Sequence, residues 1–362
     1  MRSEDLAKLL GLSRSTISRV INNYPDIPQA TREKVWKAID EHNYAPNASA
    51  RNLAGVKNKM IAVILLDVND KEDPHHVKTT ENTIIHDNPF FSPVVNAVSD
   101  QANKMDYYVL VSISYSKEDL KKVQRIFHQK MIDGAIFVGT QEAENEFIFN
   151  LIEQKHLIAM IDTSEVYNTN HNAIYINADN YKGSVKAVSY LLELGHTSIG
   201  IITGNLNKLS AKERLAGFET TLMQHGIEPK KEAIYHGDFT ESSGYEGVKY
   251  LLKGSNPPTA IFVSNDTMAI GAYKAINELG LHIPNDISII GFDNSFFSPY
   301  LNPPLTTIEI SFSDIAKRAT KLLIESIEQE KQRGIVEKIH ATLVKRESCQ
   351  AVESNCNSLA KM

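Results

Sequence analysis

From residue 59 onward, short apolar runs alternate with amphipathic stretches of helical length. Apolar runs of this kind predict parallel strands that are covered by helices on both faces. The predicted strands are Ile61–Leu66, Tyr108–Ile113, Gly134–Val138, Leu157–Ile161, Ile199–Ile202, Ala260–Val263 and Ile287–Ile290. The predicted helices are Phe91–Asp106, Lys117–Lys130, Ala143–Gln154, Asp179–Leu194, Ala211–His225 and Ser242–Leu252. So many strands would crowd one small sheet, so the pattern favours two doubly wound lobes.

Polar side chains follow several of the predicted strands, namely Asp67, Asp162, Asn265, Asp266 and Asp293. Open α/β sheets bind ligands beyond the carboxyl ends of their strands. Two lobes that face each other across such a cleft would form a small-molecule pocket that closes about a hinge. Taken singly, each residue is also explained as a helix N-cap, and Asp266 ahead of an apolar helix is an example.

Residues 3–22 have the pattern of two short helices joined by a glycine turn. Leu6, Leu9 and Leu10 recur at helical spacing and are predicted to face a core. Gly11 ends the first helix, and Ser13 is placed to cap the second. Ile17, Val20 and Ile21 would bury one side of the second helix, which leaves the other side to Arg14, Ser15, Ser18 and Arg19.

This exposed side suits DNA, because a helix about 10–12 Å across fits the ~12 Å major groove. The two-helix pattern alone is equally compatible with a small α-hairpin. A third predicted helix, Thr31–His42, strengthens the first interpretation, with an apolar stripe of Val35, Ala38, Ile39 and His42. The following segment, 43–55, could form only a short helix, which is marginal alone in water and is a candidate hinge.

Charge is distributed unevenly along the chain, whose net charge is −6. Residues 1–59 hold 10 Lys and Arg against 6 Asp and Glu, and the remainder holds 28 against 38. A basic head on an acidic body is typical of a DNA-binding head. The sequence has no apolar run long enough to span a membrane and no secretory signal pattern, so a cytoplasmic protein is expected. Cys349 and Cys356 are expected to be free thiols in a polar tail, rather than a disulfide.

Motifs for an enzyme are missing from the sequence. There is no glycine-rich dinucleotide turn, no phosphate-binding loop and no nucleophile elbow. His75, His76 and His86 lie among acidic residues, but their spacing matches no fixed metal motif and their context indicates a solvated loop. The sequence therefore predicts no cofactor, no metal site and no enzymatic activity.

The chain resembles the LacI/GalR family of bacterial transcription regulators over nearly its full length. The resemblance is carried by an ordered set of motifs, each weak alone: Gly11-Leu-Ser-Arg-Ser-Thr-Ile-Ser-Arg-Val-Ile-Asn22, Asn43-Tyr-Ala-Pro-Asn47, Ala50-Arg-Asn-Leu-Ala54, Asn88-Pro-Phe-Phe91, Arg214-Leu-Ala-Gly-Phe218, Asn265-Asp266, Ile290-Gly-Phe-Asp293 and Pro303-Pro-Leu-Thr-Thr-Ile308. It implies an all-α helix-turn-helix head (1–45), a hinge helix and linker (46–58), a two-lobed α/β core like periplasmic sugar-binding proteins (59–346) and a polar tail (347–362).

The resemblance also assigns DNA-binding roles. Arg14, Ser15 and Arg19 would read bases in the major groove. Phosphate contacts are implied for Thr16, Asn22, Thr31 and Tyr44, with helix capping and core support as the alternative. Leu53 matches the family's minor-groove leucine, which would wedge between base pairs at the operator centre, flanked by Asn47 and Ala50. Its alternative is ordinary packing against the core.

The residues implied for an effector site are Phe90, Phe91, Asp162, Arg214, Phe239, Asn265 and Asp293. Carboxylates, an amide and an arginine beside aromatic rings suit a polyhydroxylated ligand, so a sugar or sugar derivative is expected, with a purine or other metabolite as the alternative. Lys208 would favour an anionic group. The expected function is a repressor whose operator affinity the effector controls; the alternative is an activator or a corepressor-dependent regulator.

Two departures from the family pattern affect these expectations. About 18 extra residues near 70–87 separate the first strand from Phe90 and are expected to form a flap or loop near the cleft mouth or the dimer surface. The segment 348–362 has no leucine heptads, so a homodimer rather than a tetramer is expected. A transporter's solute-binding protein would share the core fold but would need an export signal and no basic head.

Overall fold

The computed structural model describes residues 3–21, 24–42, 44, 57–66, 89–114, 117–139, 142–163, 173–254, 256–331 and 334–352. The chain divides into two compact units, Met1–Met60 with Arg125–Asp133, and Ile61–Gln124 with Gly134–Met362. Several residues with predicted roles lie outside the described part: Asn22, Asn47, Ala50, Leu53, the histidines of the 70–87 insertion, Cys356 and most of the predicted hinge 46–58.

The head contains three helices, α1 (Ser3–Leu10), α2 (Arg14–Ile21) and α3 (Gln29–Glu41). The turn and cap are as predicted: Gly11 has a φ of 64°, and the Thr16 amide donates to Ser13 Oγ at 2.9 Å. The helices enclose a cluster of buried side chains: Leu6, Ala7, Ile17, Val20, Val35, Ala38, Ile39 and Tyr44.

Two apolar-stripe predictions for the head are wrong. Leu9 is 54% exposed, because at about 100° per residue it lies well away from the side of α1 that carries Leu6 and Ala7. His42 is also exposed, since α3 ends at Glu41. The chain turns there, and Tyr44 fills the core position instead, with its amide donating to the Ile39 carbonyl at 3.0 Å.

The larger unit alternates strands and helices as predicted. In chain order its elements are β1 (Met60–Leu66), α4 (Phe91–Asn103), β2 (Tyr108–Ser114), α5 (Lys117–His128), β3 (Gly134–Val138), α6 (Glu142–Glu153), β4 (Ile158–Ile161), β5 (Ile174–Ala178), α7 (Asn180–Glu193), β6 (Ile199–Thr203), α8 (Leu209–Gln224), β7 (Ile234–His236), α9 (Glu241–Leu251), β8 (Ala260–Val263), α10 (Asp266–Glu278), β9 (Ser288–Asp293), β10 (Thr306–Glu309), α11 (Phe312–Glu328), β11 (Ile335–Ile339) and β12 (Thr342–Val344).

These strands form two six-stranded sheets, one for each lobe. The first has the order β11-β5-β4-β3-β1-β2, and the second has the order β12-β10-β9-β8-β6-β7. The pairings β1–β3, β3–β4, β4–β5 and β5–β11 are parallel, as are β7–β6, β6–β8, β8–β9 and β9–β10. Strand β12 pairs with β10 in the antiparallel direction, unlike the pairs just named. The predicted fold class, a helical head with two doubly wound lobes, is confirmed.

The chain passes between the lobes near residues 179, 310 and 341. Helix α11 follows β10 of the second lobe but packs on α4, β3, β4 and β5 of the first. At the crossings, the Asp179 amide donates to the Ile339 carbonyl at 2.9 Å, and Lys186 Nζ donates to the Ala341 carbonyl at 2.7 Å. A few short segments side by side are the usual construction of a hinge between two lobes.

The end of the described chain packs on the second lobe. Ser348 and Cys349 are buried, and the Ile289 amide donates to the Ser348 carbonyl at 2.8 Å. The Val352 amide donates to the Leu194 carbonyl at 2.8 Å. The predicted polar tail from residue 347 is therefore wrong for its first residues, which complete the core. Cys349 is a buried free thiol.

Asn265 rather than Asp266 caps α10, which corrects the prediction. Asn265 Oδ1 accepts from the Met268 amide at 2.8 Å, and Nδ2 donates to the Phe239 carbonyl at 3.1 Å. The side-chain amide thus fixes two loops at the carboxyl ends of neighbouring strands.

Asp266 is instead a fully buried brace for the loop after β9. Its carboxylate accepts from the Ser295 amide at 2.8 Å and from the hydroxyls of Ser298 and Thr307 at 2.5 and 2.7 Å. Burial raises the pKa of Asp266 to about 6, and these three hydrogen bonds oppose the shift. Desolvation outweighs them because a carboxylate loses much of its hydration in the interior.

The raised pKa predicts a pH dependence of folding stability. The folded protein holds the Asp266 proton more tightly than the unfolded chain does. The contribution of Asp266 to the free energy of unfolding therefore falls as pH rises from about 4 to 6. We expect the urea-derived free energy of unfolding of Asp266→Asn, relative to wild type, to rise by about 2 kcal/mol between pH 4.5 and 7. The control is Asp106→Asn, which removes a carboxylate from an exposed residue whose φ of 60° suits asparagine. A change for Asp266→Asn that does not exceed the change for this control would contradict the assignment.

Candidate functional site

Three of the predicted effector residues of the second lobe lie at the carboxyl ends of its strands. Phe239 follows β7, Asn265 follows β8, and Asp293 ends β9. Asp162 holds the equivalent place after β4 of the first lobe. Three of these residues have left-handed backbones, with φ of 56° at Asp162, 75° at Phe239 and 108° at Asp293. Such conformations are unusual for residues other than glycine and cluster at ligand sites, where the surrounding structure holds them.

Arg214 of α8 lies at the centre of this arrangement and is 4% exposed. Its Nε donates to Asn180 Oδ1 at 3.0 Å, and its Nη1 donates to the Ser264 carbonyl. Nη2 lies 3.4 Å from Asp293 Oδ1, and the guanidinium carbon lies 3.8 Å from the centroid of the Phe292 ring. The guanidinium is thus held by four residues from three parts of one lobe, namely α7, the end of β8 and β9.

Burial dominates the electrostatics of the Arg214–Asp293 pair. It lowers the pKa of Arg214 and raises the pKa of Asp293 to about 7, while the attraction between the two opposes both shifts. Asp266 adds to the rise at Asp293, because a second buried carboxylate disfavours its charge. The site therefore places a buried carboxylate, whose charged form is disfavoured by desolvation, beside a fixed cation.

Two buried oxygens near Arg214 have no hydrogen-bond partner within the described residues. They are Asp293 Oδ1, whose contact with Arg214 lacks hydrogen-bond geometry, and Ser264 Oγ. Unpaired buried acceptors cost free energy, so they mark places where an added donor is favourable. The geometry leaves hydrogen-bonding capacity for a polar ligand.

Aromatic rings contribute on both lobes. The Phe239 ring lies against Gly204, where a Cβ would come within about 2 Å of it, and the Arg214 guanidinium lies 5.8 Å from its centroid. Phe90 packs on Phe91 at 5.1 Å between ring centroids, but Phe91 is buried in the core. Phe239 is therefore placed beside Arg214, whereas Phe91 supports the first lobe from within.

The amino-terminal half of α8 also contacts the first lobe. Its cross-lobe contacts are Lys208 Nζ to the Gly139 carbonyl at 3.3 Å, Ser210 Oγ to Asp162 Oδ2 at 3.1 Å, and Glu213 to Lys338 Nζ at 2.7 Å. Lys208, predicted to favour an anionic ligand, here bonds to backbone. Helix α8 thus carries both Arg214 and residues that contact the other lobe.

The head presents the predicted base-reading residues on α2. Arg14 and Ser15 are exposed, and Arg14 Nη1 lies 3.2 Å from Glu4 Oε1. Arg19 forms an ion pair with Asp26. The Thr16 hydroxyl bonds to Ser13 Oγ at 2.8 Å, within the cap of α2.

The predicted phosphate contacts differ in exposure. Thr31 is half-buried in the first turns of α3, and Tyr44 is buried in the head core, so the phosphate contacts of both residues stay predictions. Asn22, Asn47, Ala50 and Leu53 lie outside the described residues, so their roles stay predictions.

Sequence reasoning missed residues that hold Arg214, namely Asn180, Ser264 and Phe292. Asn180 sits at the first position of a helix and Ser264 acts through its backbone carbonyl, so neither carries a distinctive signal. Over the described ranges, no helix is long and apolar enough to span a membrane, and acidic, histidine and cysteine side chains form no group of three that could hold a metal ion.

Comparison with known proteins gives two family matches. The description "Bacterial regulatory proteins, lacI family" matches residues 4–47, and "Periplasmic binding protein-like domain" matches residues 188–349.

Similar proteins extend over nearly the whole chain. The HTH-type transcriptional repressor PurR of Aliivibrio salmonicida (strain LFI1238) is 32% identical over 346 residues, covering 95% of this chain and 98% of its own length. The probable HTH-type transcriptional repressor ExuR of Bacillus subtilis (strain 168) is 32% identical over 326 residues, covering 90% and 91%. The crystal structure of the lac repressor dimer bound to operator and the anti-inducer ONPF has a TM-score of 0.78 at 28% identity and covers 97% of this chain and 99% of its own.

These relatives are repressors rather than enzymes, as the sequence led us to expect. The helical head and the two-lobed core each match a family description, and the similar proteins cover nearly the whole chain. The chain belongs to the LacI family of bacterial transcriptional repressors.

Proposed function

We propose that this repressor binds a sugar or sugar derivative in the cleft between its lobes, and that the bound effector controls its affinity for operator DNA. The observation that carries the proposal is the fixed, buried Arg214 beside Asp293, whose Oδ1 has no hydrogen-bond partner within the described residues. A rigid donor beside an unused acceptor matches a hydroxyl, which both accepts and donates. The half-buried Phe239 ring would pack against the C–H face of the same ligand.

The proposed DNA site is the exposed side of α2 with the hinge segment. Arg14, Ser15 and Arg19 would read base edges, and arginine suits guanine because it can donate two hydrogen bonds to O6 and N7. Thr16, Thr31 and Asn22 would contact phosphates, which position the head without reading sequence. Leu53, flanked by Asn47 and Ala50, would wedge between base pairs and kink the duplex. The intramolecular ion pairs of Arg14 and Arg19 would open on binding.

A homodimer is the proposed assembly. The similar lac repressor structure is a dimer on its operator. In the larger unit of this chain, Tyr108, Phe296 and Tyr300 are 73%, 82% and 83% exposed. Large exposed aromatic side chains are commonly covered by association, which supports a dimer formed by this unit. Two heads related by two-fold symmetry require a near-palindromic operator.

The proposed mechanism couples the two sites through lobe movement. Lys208, Ser210 and Glu213 bridge the lobes next to Arg214. A ligand that rearranges the cleft would therefore change these contacts between α8 and the first lobe. Lobe movement would then change the spacing between the two hinge segments of the dimer. A coupling of ~1–3 kcal/mol would change operator affinity about 5- to 150-fold.

Asp293→Asn and Arg214→Lys test the effector site. A thermal-shift panel of sugars, sugar phosphates and nucleobases first identifies a ligand, which is then titrated calorimetrically. We expect either variant to weaken binding of that ligand about 10- to 150-fold, because a charge-assisted hydrogen bond is lost, while operator affinity without ligand is kept. Asp286→Asn, an exposed carboxylate on the same lobe, is the control. Unchanged affinity in both variants would refute the site, and a nucleobase as the ligand would refute the sugar.

Leu53→Ala tests the minor-groove wedge. Truncating the side chain removes about 2 kcal/mol of apolar contact per subunit, so operator affinity should fall at least ~30-fold in a fluorescence anisotropy titration. Affinity for the panel ligand should be kept. The control is Leu9→Ala, the same truncation at an exposed head position. If the two variants bind operator equally well, Leu53 is not a wedge.

A further inference from the structure

Arg19 is confined by two groups of its own head. The guanidinium forms an ion pair with Asp26, and its central carbon lies 5.3 Å from the centroid of the Tyr24 ring. Arg19 Nε is buried and has no hydrogen-bond partner within the described residues. The cationic end of this side chain is therefore shared between an aromatic face and a carboxylate, rather than extended into solvent.

The partner groups are themselves fixed by the turn between α2 and α3. Arg32 of α3 donates to the Tyr24 carbonyl through Nη2 and to the Ile27 carbonyl through Nε at 3.1 Å. The Tyr24 amide donates to the Arg19 carbonyl at 3.0 Å. Asp26 lies between the two anchored residues, so its carboxylate is held beside Arg19 by the backbone around it.

We propose that Asp26 is a specificity residue for DNA binding: it withholds Arg19 from the phosphates of non-operator DNA and releases it to a base edge at the operator. This inference rests on the proposed base-reading role of Arg19.

The strengths of the competing contacts favour release of Arg19 to a base edge but not to a phosphate. The side chains of Arg19 and Asp26 are 43% and 52% exposed, and ion pairs this exposed typically favour the paired state only about 1.4- to 5-fold. A bidentate arginine–guanine contact gives about 5- to 150-fold discrimination, which is enough to break the pair. A single non-specific phosphate contact is itself an exposed ion pair, so it is worth no more than the pair with Asp26. The carboxylate also lies within a Debye length of about 10 Å of any phosphate that Arg19 would reach, and it repels that phosphate.

The test compares Asp26→Asn with wild type in the full-length protein. The DNA probes are a duplex enriched from a random-sequence pool by the wild-type protein and a scrambled duplex of the same composition. We expect Asp26→Asn to bind the scrambled duplex about 5-fold more tightly, and its plot of log affinity against log salt to steepen by about 0.9 per head, as one further phosphate is contacted. Affinity for the enriched duplex should change less than 3-fold.

Two further variants separate the causes. Asp40→Asn removes the same charge from an exposed position on α3 and should leave the ratio of the two affinities unchanged. In an Arg19→Ala background, Asp26→Asn should lose its effect on the scrambled duplex, because no guanidinium remains to be released.

Three results would overturn the inference: unchanged binding of the scrambled duplex, an effect equalled by Asp40→Asn, or weakened binding of the enriched duplex alone, which would indicate that Asp26 itself accepts from a base. Failure of the proposed function gives a different result, since Arg19→Ala alone would then bind the enriched duplex as well as wild type does.

Discussion

The proposed effector site depends on one buried charge. Arg214 is almost wholly removed from water, and an isolated cation there would be strongly unfavourable. Asn180, the Ser264 carbonyl and Asp293 offset that cost, and the Phe292 ring covers one face of the guanidinium. The same contacts tie together α7 and the ends of β8 and β9. Removing any one of them leaves polar groups buried without partners, so the loops around the cleft are interdependent.

Helix α8 connects this network to the first lobe. Arg214 anchors the helix in the second lobe, while Ser210 and Lys208, one and two turns before it, bond to the first lobe. Asp162 illustrates the consequence, because it accepts from Ser210 across the cleft while its own backbone has a left-handed φ. A ligand that competes for these groups would necessarily alter contacts between the lobes. In the proposed mechanism, ligand binding and lobe geometry would therefore involve the same side chains, which is the condition for coupling between sites.

Much of the fold could be predicted because apolar runs of β1, β3, β4 and β8 are buried on both faces and stand out in the sequence. Of the four edge strands, β2 was predicted, whereas β7, β11 and β12 were not. Strand β11 alternates partly buried and exposed residues and contains Glu337 and Lys338, and β7 has three residues. Strand β5 is fully buried but includes Asn177, whose side-chain amide forms hydrogen bonds with the backbone of Thr163. This polar residue interrupts the apolar run, so the strand was not recognised in the sequence.

The site shows the same limit. Residue types in family motifs pointed to Arg214 and Asp293, but not to the supporting contacts of Asn180 and Ser264, which arise only when α7 and β8 come together. In the head, the pattern placed Arg19 on the exposed side of α2, yet its pairing with Asp26 depends on a turn anchored by Arg32. Contacts made through backbone carbonyls or across a turn have no periodicity, so sequence reasoning did not find them.

In the proposed mechanism, effector and operator bind to separate sites that share a coupling free energy. The most direct measurement closes a thermodynamic cycle: the operator dissociation constant is measured with and without saturating panel ligand, and the ligand dissociation constant with and without saturating operator. Coupling between the sites predicts that both constants change by the same factor, about 5- to 150-fold. If the ligand binds the free and the operator-bound protein with equal affinity, the proposed effector site does not control the head and the proposed mechanism is wrong.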